Sequence, residues 1–207
     1  MDWLDITVPL ADTTPAWPGD PRFEREFIHS IARGDETYHS VLRMSAHNGT
    51  HVDAPLHFIA DGRTLEMIPA SVLCGPCLVV DCGDAEWITA DIVASASLVH
   101  GDRVLFKTRN SSLWGDPHFA EDAVGFDRGG AKALRDAGVA LVGIDYLSVG
   151  SFRKYGIEVH HILLGAGIAL LEGVNLSGVK PGRYELVCAP LLIPGAEAAP
   201  ARVFLGR

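Results

Sequence analysis

The chain has 207 residues, 48% of them hydrophobic, which suits one domain with a substantial core. Twenty-six acidic against 17 basic residues give a net charge of −9 without any basic run, which argues against nucleic acid or an anionic membrane as partner. The opening Met1-Asp2-Trp3-Leu4-Asp5 carries no basic or long apolar segment, and the longest nearly apolar stretch, 162–171, is too short to span a bilayer, so a cytoplasmic location is expected.

In chain order, Leu4 to Leu10 reads as an opening strand stopped by Pro15, Pro18 and Gly19. Ser40 to Ser45 alternates toward a histidine-rich run at 47–57. Cys77 to Asp81 and Arg103 to Thr108 are β-rich. Thr89 can cap a helix at 90–96, and Arg128 to Ala137 is a helix ended by Gly138. Val139 to Tyr146 is a buried strand. A short helix at 159–165 precedes a strand at 168–171 that leads into Glu172, and 183–192 and 201–205 complete the sheet. Strands outnumber the scattered helices, which points to an α+β chain with a mixed or antiparallel sheet rather than a doubly wound one. Cys74-Gly75-Pro76-Cys77 has redox-motif spacing, but a strand-like run follows where a redox motif needs a helix, so ordinary thiols are expected.

The run His47-Asn-Gly-Thr-His51-Val-Asp53-Ala-Pro-Leu-His57 is the most informative part. His47, His51, Asp53 and His57 share odd positions, hence one face of an extended strand. Imidazole nitrogens with a carboxylate suit zinc or a similar divalent ion. A straight strand would spread the ends by ~33 Å, so a bent strand is expected, with Gly49 and Pro55 as the bends. Both residues oppose a helix interior. Any one of these histidines alone would more often be a core or solvated residue; the register of the group is what points to a metal. Glu172, entering a buried region after an apolar run, needs a cationic partner, either a metal or an Arg. Trp17 between prolines is either turn packing or a substrate wall.

The pattern His-x-Gly-Thr-His-x-Asp-x-Pro-x-His resembles the signature of the cyclase-type metal-dependent hydrolases, which include the bacterial kynurenine formamidases. Trp17-Pro-Gly-Asp20, Gly75-Pro76-Cys77, Gly143-Ile144-Asp145, His160-His161, Leu170-Leu171-Glu172-Gly173 and Tyr184-Glu185-Leu186 are similar to further motifs of that family, so the resemblance covers almost the whole chain. It implies a single swivelling β/β/α-type domain over 1–207 and a homodimer. It also implies two divalent ions, zinc or manganese: His47, His51 and Asp53 on one, Asp53 and Glu172 as bridges, and His160 with Glu172 completing the second. His57 would be the acid/base residue and Trp17 a substrate contact. Tyr146-Leu147-Ser148 and residues 149–159 depart from the formamidase branch.

The expected activity is metal-dependent hydrolysis of a small aromatic amide, N-formylkynurenine to kynurenine and formate. The absence of a Gly-x-Ser-x-Gly elbow argues against a serine hydrolase route. The alternatives are the same chemistry on an isatin-like lactam or a lactone, and a non-enzymatic metal-binding protein.

Overall fold

A computed structural model describes residues 2–207. Strand β1 (Trp3–Asp5) is followed by a two-stranded ribbon, β2 (Glu24–His29) with β3 (His39–Arg43), and by the short β4 (His51–Asp53). A single helical turn, α1 (Ala70–Leu73), leads into β5 (Cys74–Asp81). Next come β6 (Trp87–Ile88), α2 (Ala90–Ser95) and β7 (Arg103–Lys107). They are followed by β8 (Gly125–Phe126), α3 (Arg128–Ala137) and β9 (Leu141–Ile144). Helix α4 (Gly156–Gly165), β10 (Ala169–Glu172), β11 (Gly182–Pro190) and β12 (Ala198–Gly206) end the chain.

The α+β organisation and mixed sheet are as expected. The sheet, however, closes. Strands run in the order β12-β11-β5-β7-β9-β10-β4, and β4 pairs back onto β12, making a seven-strand barrel with β1 added along β12. The β5, β7, β9 and β10 pairings are parallel, with α2, α3 and α4 in the crossovers, whereas β4, β11 and β12 pair antiparallel. Closure removes the edges that an open sheet would leave.

Alternate residues of the parallel strands serve two cores. Leu105, Leu141 and Leu171 join Val52, Val79, Leu186 and Val203 inside the barrel. Val104, Phe106, Val142, Ile144 and Leu170 point outward and pack with Phe126, Leu134, Val159 and Leu163 beneath the helices. Burial on both faces explains why these strands read as continuous apolar runs. Helix α3 matches its expected bounds because its ends are written locally: the Asp127 carboxylate accepts the Gly130 N–H at 2.7 Å, and Gly138 closes the helix in left-handed geometry.

The ribbon β2–β3 is poorly covered. All of β2 and most of β3 are exposed, including Phe27, Ile28, Val41 and Leu42. Among the described residues no helix is long and apolar enough to cross a membrane. The four cysteines are free. Cys74 is exposed on β5, whereas Cys77 is buried, and burial pushes its thiol up to about 12. That separation leaves no paired, reactive dithiol.

Candidate metal centre

Three segments build the site on the outer face of the barrel. On β4, Val52 points into the barrel, so its neighbours His51 and Asp53 point outward, as their odd register predicts. Opposite them on β10, Leu171 points inward and Glu172 outward, with Glu172 in register with His51 and Leu170 with Asp53. Helix α4 covers this face and brings His160 over it. His161 is exposed and joins neither ligand group, so only one of the paired histidines reaches the site.

The expected bent strand is a turn, a strand and a 3-10 turn. His47 sits in a turn where Ser45 N–H donates to the Asn48 side chain at 2.8 Å and His47 N–H to Ser45 Oγ at 3.2 Å. Gly49 then reverses the chain at φ 63°. Its carbonyl leaves no room for a side chain at Gly173, itself at φ 74°, which locks the entry to β4 against the exit from β10. Thr50 Oγ1 adds a 2.5 Å hydrogen bond to the Gly173 carbonyl. His57 lies in the 3-10 turn Pro55–His57, just past the strand.

These segments converge. His47 Nδ1 is 3.0 Å and His51 Nε2 3.4 Å from Asp53 Oδ1. His51 Nε2 is 3.2 Å from Glu172 Oε2, and His160 Nε2 is 3.3 Å from Glu172 Oε1. Two ligand groups result, His47-His51-Asp53 and Asp53-His160-Glu172, each with its donor atoms within 4.8 Å of one another. Asp53 belongs to both. The five residues expected as ligands are brought together, but only Asp53 is shared, whereas Glu172, expected as a second bridge, falls in one group.

Two observations fit a divalent cation. His51 Nε2 and both Asp53 oxygens are sealed from solvent without a well-directed hydrogen bond, although His nitrogens lie close. Such orphaned atoms are costly unless a ligand takes them up. The other ring nitrogens are engaged as in metal-binding histidines: His51 Nδ1 is 3.0 Å from the Gly49 carbonyl and His160 Nδ1 is 2.7 Å from the Gly156 carbonyl. Each Nδ1–H donates to its carbonyl, which frees Nε2 as an electron-pair donor.

The electrostatics agree. Burial works to lower His47, but the adjoining Asp53 carboxylate, with Glu172 and Glu197, outweighs it and raises the imidazole to about 9. His51 and His160 are raised against burial by Asp53 and Glu172 in the same way. Glu172 is held well below the usual carboxylate range by His160 and His51, which overcome its burial, and its Oε1 also accepts the Val149 N–H at 2.7 Å. The centre is a negative nest that demands cations. His57 differs: burial dominates and pushes it below the ordinary imidazole value, so it is neutral at pH 7. Its Nε2 is 3.9 Å from Asp53 Oδ2, and its ring lies 4.2 Å from that of His47.

A cleft of about 1110 Å³ opens over these groups, with Trp17, Phe58 and Phe152 among its walls. Trp17 is braced edge-on by Phe119 at 5.0 Å and Phe152 at 5.4 Å. The departure at Tyr146-Leu147-Ser148 divides: Leu147 and Ser148 line the cleft, whereas Tyr146 is turned away, and its hydroxyl accepts the Ala120 N–H at 2.8 Å. It thereby holds the loop that carries Phe119. Phe58 stacks on His160 at 4.5 Å. Sequence reasoning missed Phe58, Phe119 and Glu197, whose carboxylate lies 3.5 Å from His47 Nε2. None of the three sits in a motif that would have announced it.

A barrel that carries two carboxylate-linked histidine groups in an aromatic-walled cleft defines a candidate hydrolytic metal centre. The model of the Cyclase family, described as "Putative cyclase", matches residues 4–151, and the chain belongs to that family. A kynurenine formamidase from Salinibacter ruber is 39% identical over 210 residues, spanning 99% of this chain and 97% of that protein. One from Bacillus cereus is 32% identical, with 99% and 97% covered. The solved structure of a "predicted metal-dependent hydrolase" from Bacillus stearothermophilus superposes with TM-score 0.85 at 36% identity, covering 99% of this chain and 97% of that one. Isatin hydrolase A from Labrenzia aggregata, 24% identical with TM-score 0.84 and 99% and 93% covered, shares the fold.

Proposed function

We propose that this chain is a metal-dependent amidohydrolase that converts N-formylkynurenine to kynurenine and formate. The meeting of two His/carboxylate groups at Asp53, on the floor of an aromatic cleft, carries the reading. The full-length relatives named kynurenine formamidase support the choice of substrate. Zinc suits the imidazole and carboxylate donors, and manganese is compatible with them. His47, His51 and Asp53 would hold one ion; Asp53, His160 and Glu172 would hold the other.

When bound, such ions lower the pKa of a water and polarise a carbonyl oxygen. The chain supplies the rest. Trp17, held by Phe119 and Phe152, gives the aryl ring a rigid wall. His57, neutral and 3.9 Å from Asp53, can take a proton from water and hand it to the leaving nitrogen. In balance, water oxygen joins the formyl carbon, the C–N bond breaks, and the nitrogen leaves as the aryl amine with one water proton.

The metal-loaded protein should release kynurenine from N-formylkynurenine and outpace its turnover of isatin or aryl lactones. Turnover of isatin alone would shift the reading to lactam hydrolysis. No turnover of any substrate with metal bound would make the chain a metal-binding protein without this activity. We also propose a homodimer, because Phe27, Ile28, Val41 and Leu42 on the ribbon β2–β3 are exposed with little to cover them within one chain. Sedimentation of the wild type and of a Val41→Lys, Leu42→Lys variant checks this, and an unchanged monomeric mass would overturn it.

A further inference from the structure

Two of the three histidines in the ligand groups have a backbone carbonyl behind the ring. His51 uses the Gly49 carbonyl and His160 that of Gly156, each through Nδ1. His47 is reversed. Its Nδ1 faces Asp53 at 3.0 Å, so Nδ1 is on the ligand side and Nε2 points away from the carboxylate. The atom found at Nε2 is Glu197 Oε1, at 3.5 Å.

We propose that Glu197 is the positioning residue of His47, accepting its Nε2–H and thereby fixing the tautomer in which Nδ1 offers its lone pair to a metal. Among the described residues no other acceptor stands at Nε2. The turn that carries His47 is held through its backbone, and the neighbouring His57 ring is 4.2 Å away, centre to centre. A carboxylate accepting the outer N–H fixes ring rotation and strengthens the inner nitrogen as a donor.

The place of Glu197 in the fold suits the role. It immediately precedes β12, where Ala198 pairs with Asp53. The Ala54 N–H donates to the Glu197 carbonyl at 2.8 Å, so its backbone is tied to the strand that carries His51 and Asp53. The carboxylate is thus registered to the ligands by barrel closure. Its side chain is 43% exposed, so it can be altered without emptying a core. Were Glu197 only a substrate contact, metal affinity would not depend on it.

This inference rests on the metal-binding part of the proposed function and is tested apart from turnover. Zinc affinity of the intact chain is measured by competition with a chromogenic chelator for the wild type, Glu197→Ala and Glu197→Gln. Thermal melts of each metal-free protein report the fold. Glu197→Ala should weaken one of two sites about 10- to 100-fold, the range for loss of such a partner, with the other site and the metal-free melt unchanged. Glu197→Gln keeps an oxygen acceptor and should restore affinity to within about threefold of wild type. Wild-type affinity in Glu197→Ala, with only KM raised, would overturn the positioning role and leave the metal centre standing. Equal loss in both variants would overturn the hydrogen-bond reading in favour of Glu197 as a ligand. A wild type that binds no zinc would overturn both the inference and the metal centre.

Discussion

His51 on β4 and Glu172 on β10 are cross-strand partners, 121 residues apart in sequence (172 − 51), and their side chains meet at 3.2 Å. That one register ties the two ligand groups together. A slip of β4 by one residue would send His51 and Asp53 into the barrel interior and place Val52 outside, leaving Glu172 without its partners. The apolar alternation that builds the core therefore also aims the ligands.

His57→Ala should retain the metal ions and lose about 10²–10⁴-fold in kcat on an aryl formamide, the usual range for a general acid/base. The loss should shrink on an activated aryl ester, whose leaving group needs no proton. Because burial lowers the His57 pKa, the neutral form persists to lower pH, and the acid limb of the wild-type profile should fall below ~6.5. Equal losses on both substrates together with loss of a metal ion would make His57 a ligand instead.

Metal uptake should release protons. His47 is raised to about 9 in the metal-free chain, so it is an imidazolium at neutral pH and must lose its proton to coordinate. Apparent affinity should fall as pH drops below about 9, by about tenfold per unit for each proton released. The sign for stability is opposite. A raised value contributes fully below ~6.5 and is lost as pH rises through about 9, so the metal-free melt should fall across that window. Titration calorimetry in buffers of different ionisation heat counts the protons, and no dependence on the buffer would contradict this.

Much of the centre was readable because its signals are local. The odd register of His51 and Asp53, the helix 128–137 and the burial of Glu172 each follow from a few neighbouring residues. His47 and His57 share that register but leave the strand, because Gly49 and Pro55 turn the chain rather than merely bending it. Closure of β4 onto β12 joins segments about 150 residues apart, and no local pattern encodes such a pairing. Glu197 owes its place to that closure. Of the ribbon, β3 was legible in the alternation of 40–45, though as a lead into the metal-site strand, whereas β2 went unread because its exposed residues show no core-facing alternation.

Gly173→Ala should destabilise the fold by at least ~2 kcal/mol, since φ is 74° there and a Cβ would run into the Gly49 carbonyl. The same change displaces Glu172 and Thr50, so metal content should fall with stability. A denaturant midpoint equal to that of the wild type would contradict this packing.

Tyr146→Phe should raise KM several-fold and leave metal content unchanged, because the hydroxyl holds Ala120, and with it the Phe119 brace behind Trp17. Steady-state kinetics on the aryl formamide read the effect. A fall in kcat at constant KM would place Tyr146 elsewhere in the mechanism.

Elemental analysis of metal-loaded wild type, Asp53→Ala and Glu172→Ala, each normalised to folded protein, tests the shared centre most directly. Asp53 belongs to both ligand groups and Glu172 to one. Two ions per chain are expected in the wild type, none retained through desalting in Asp53→Ala, and one in Glu172→Ala. Unchanged metal content in both variants would contradict it.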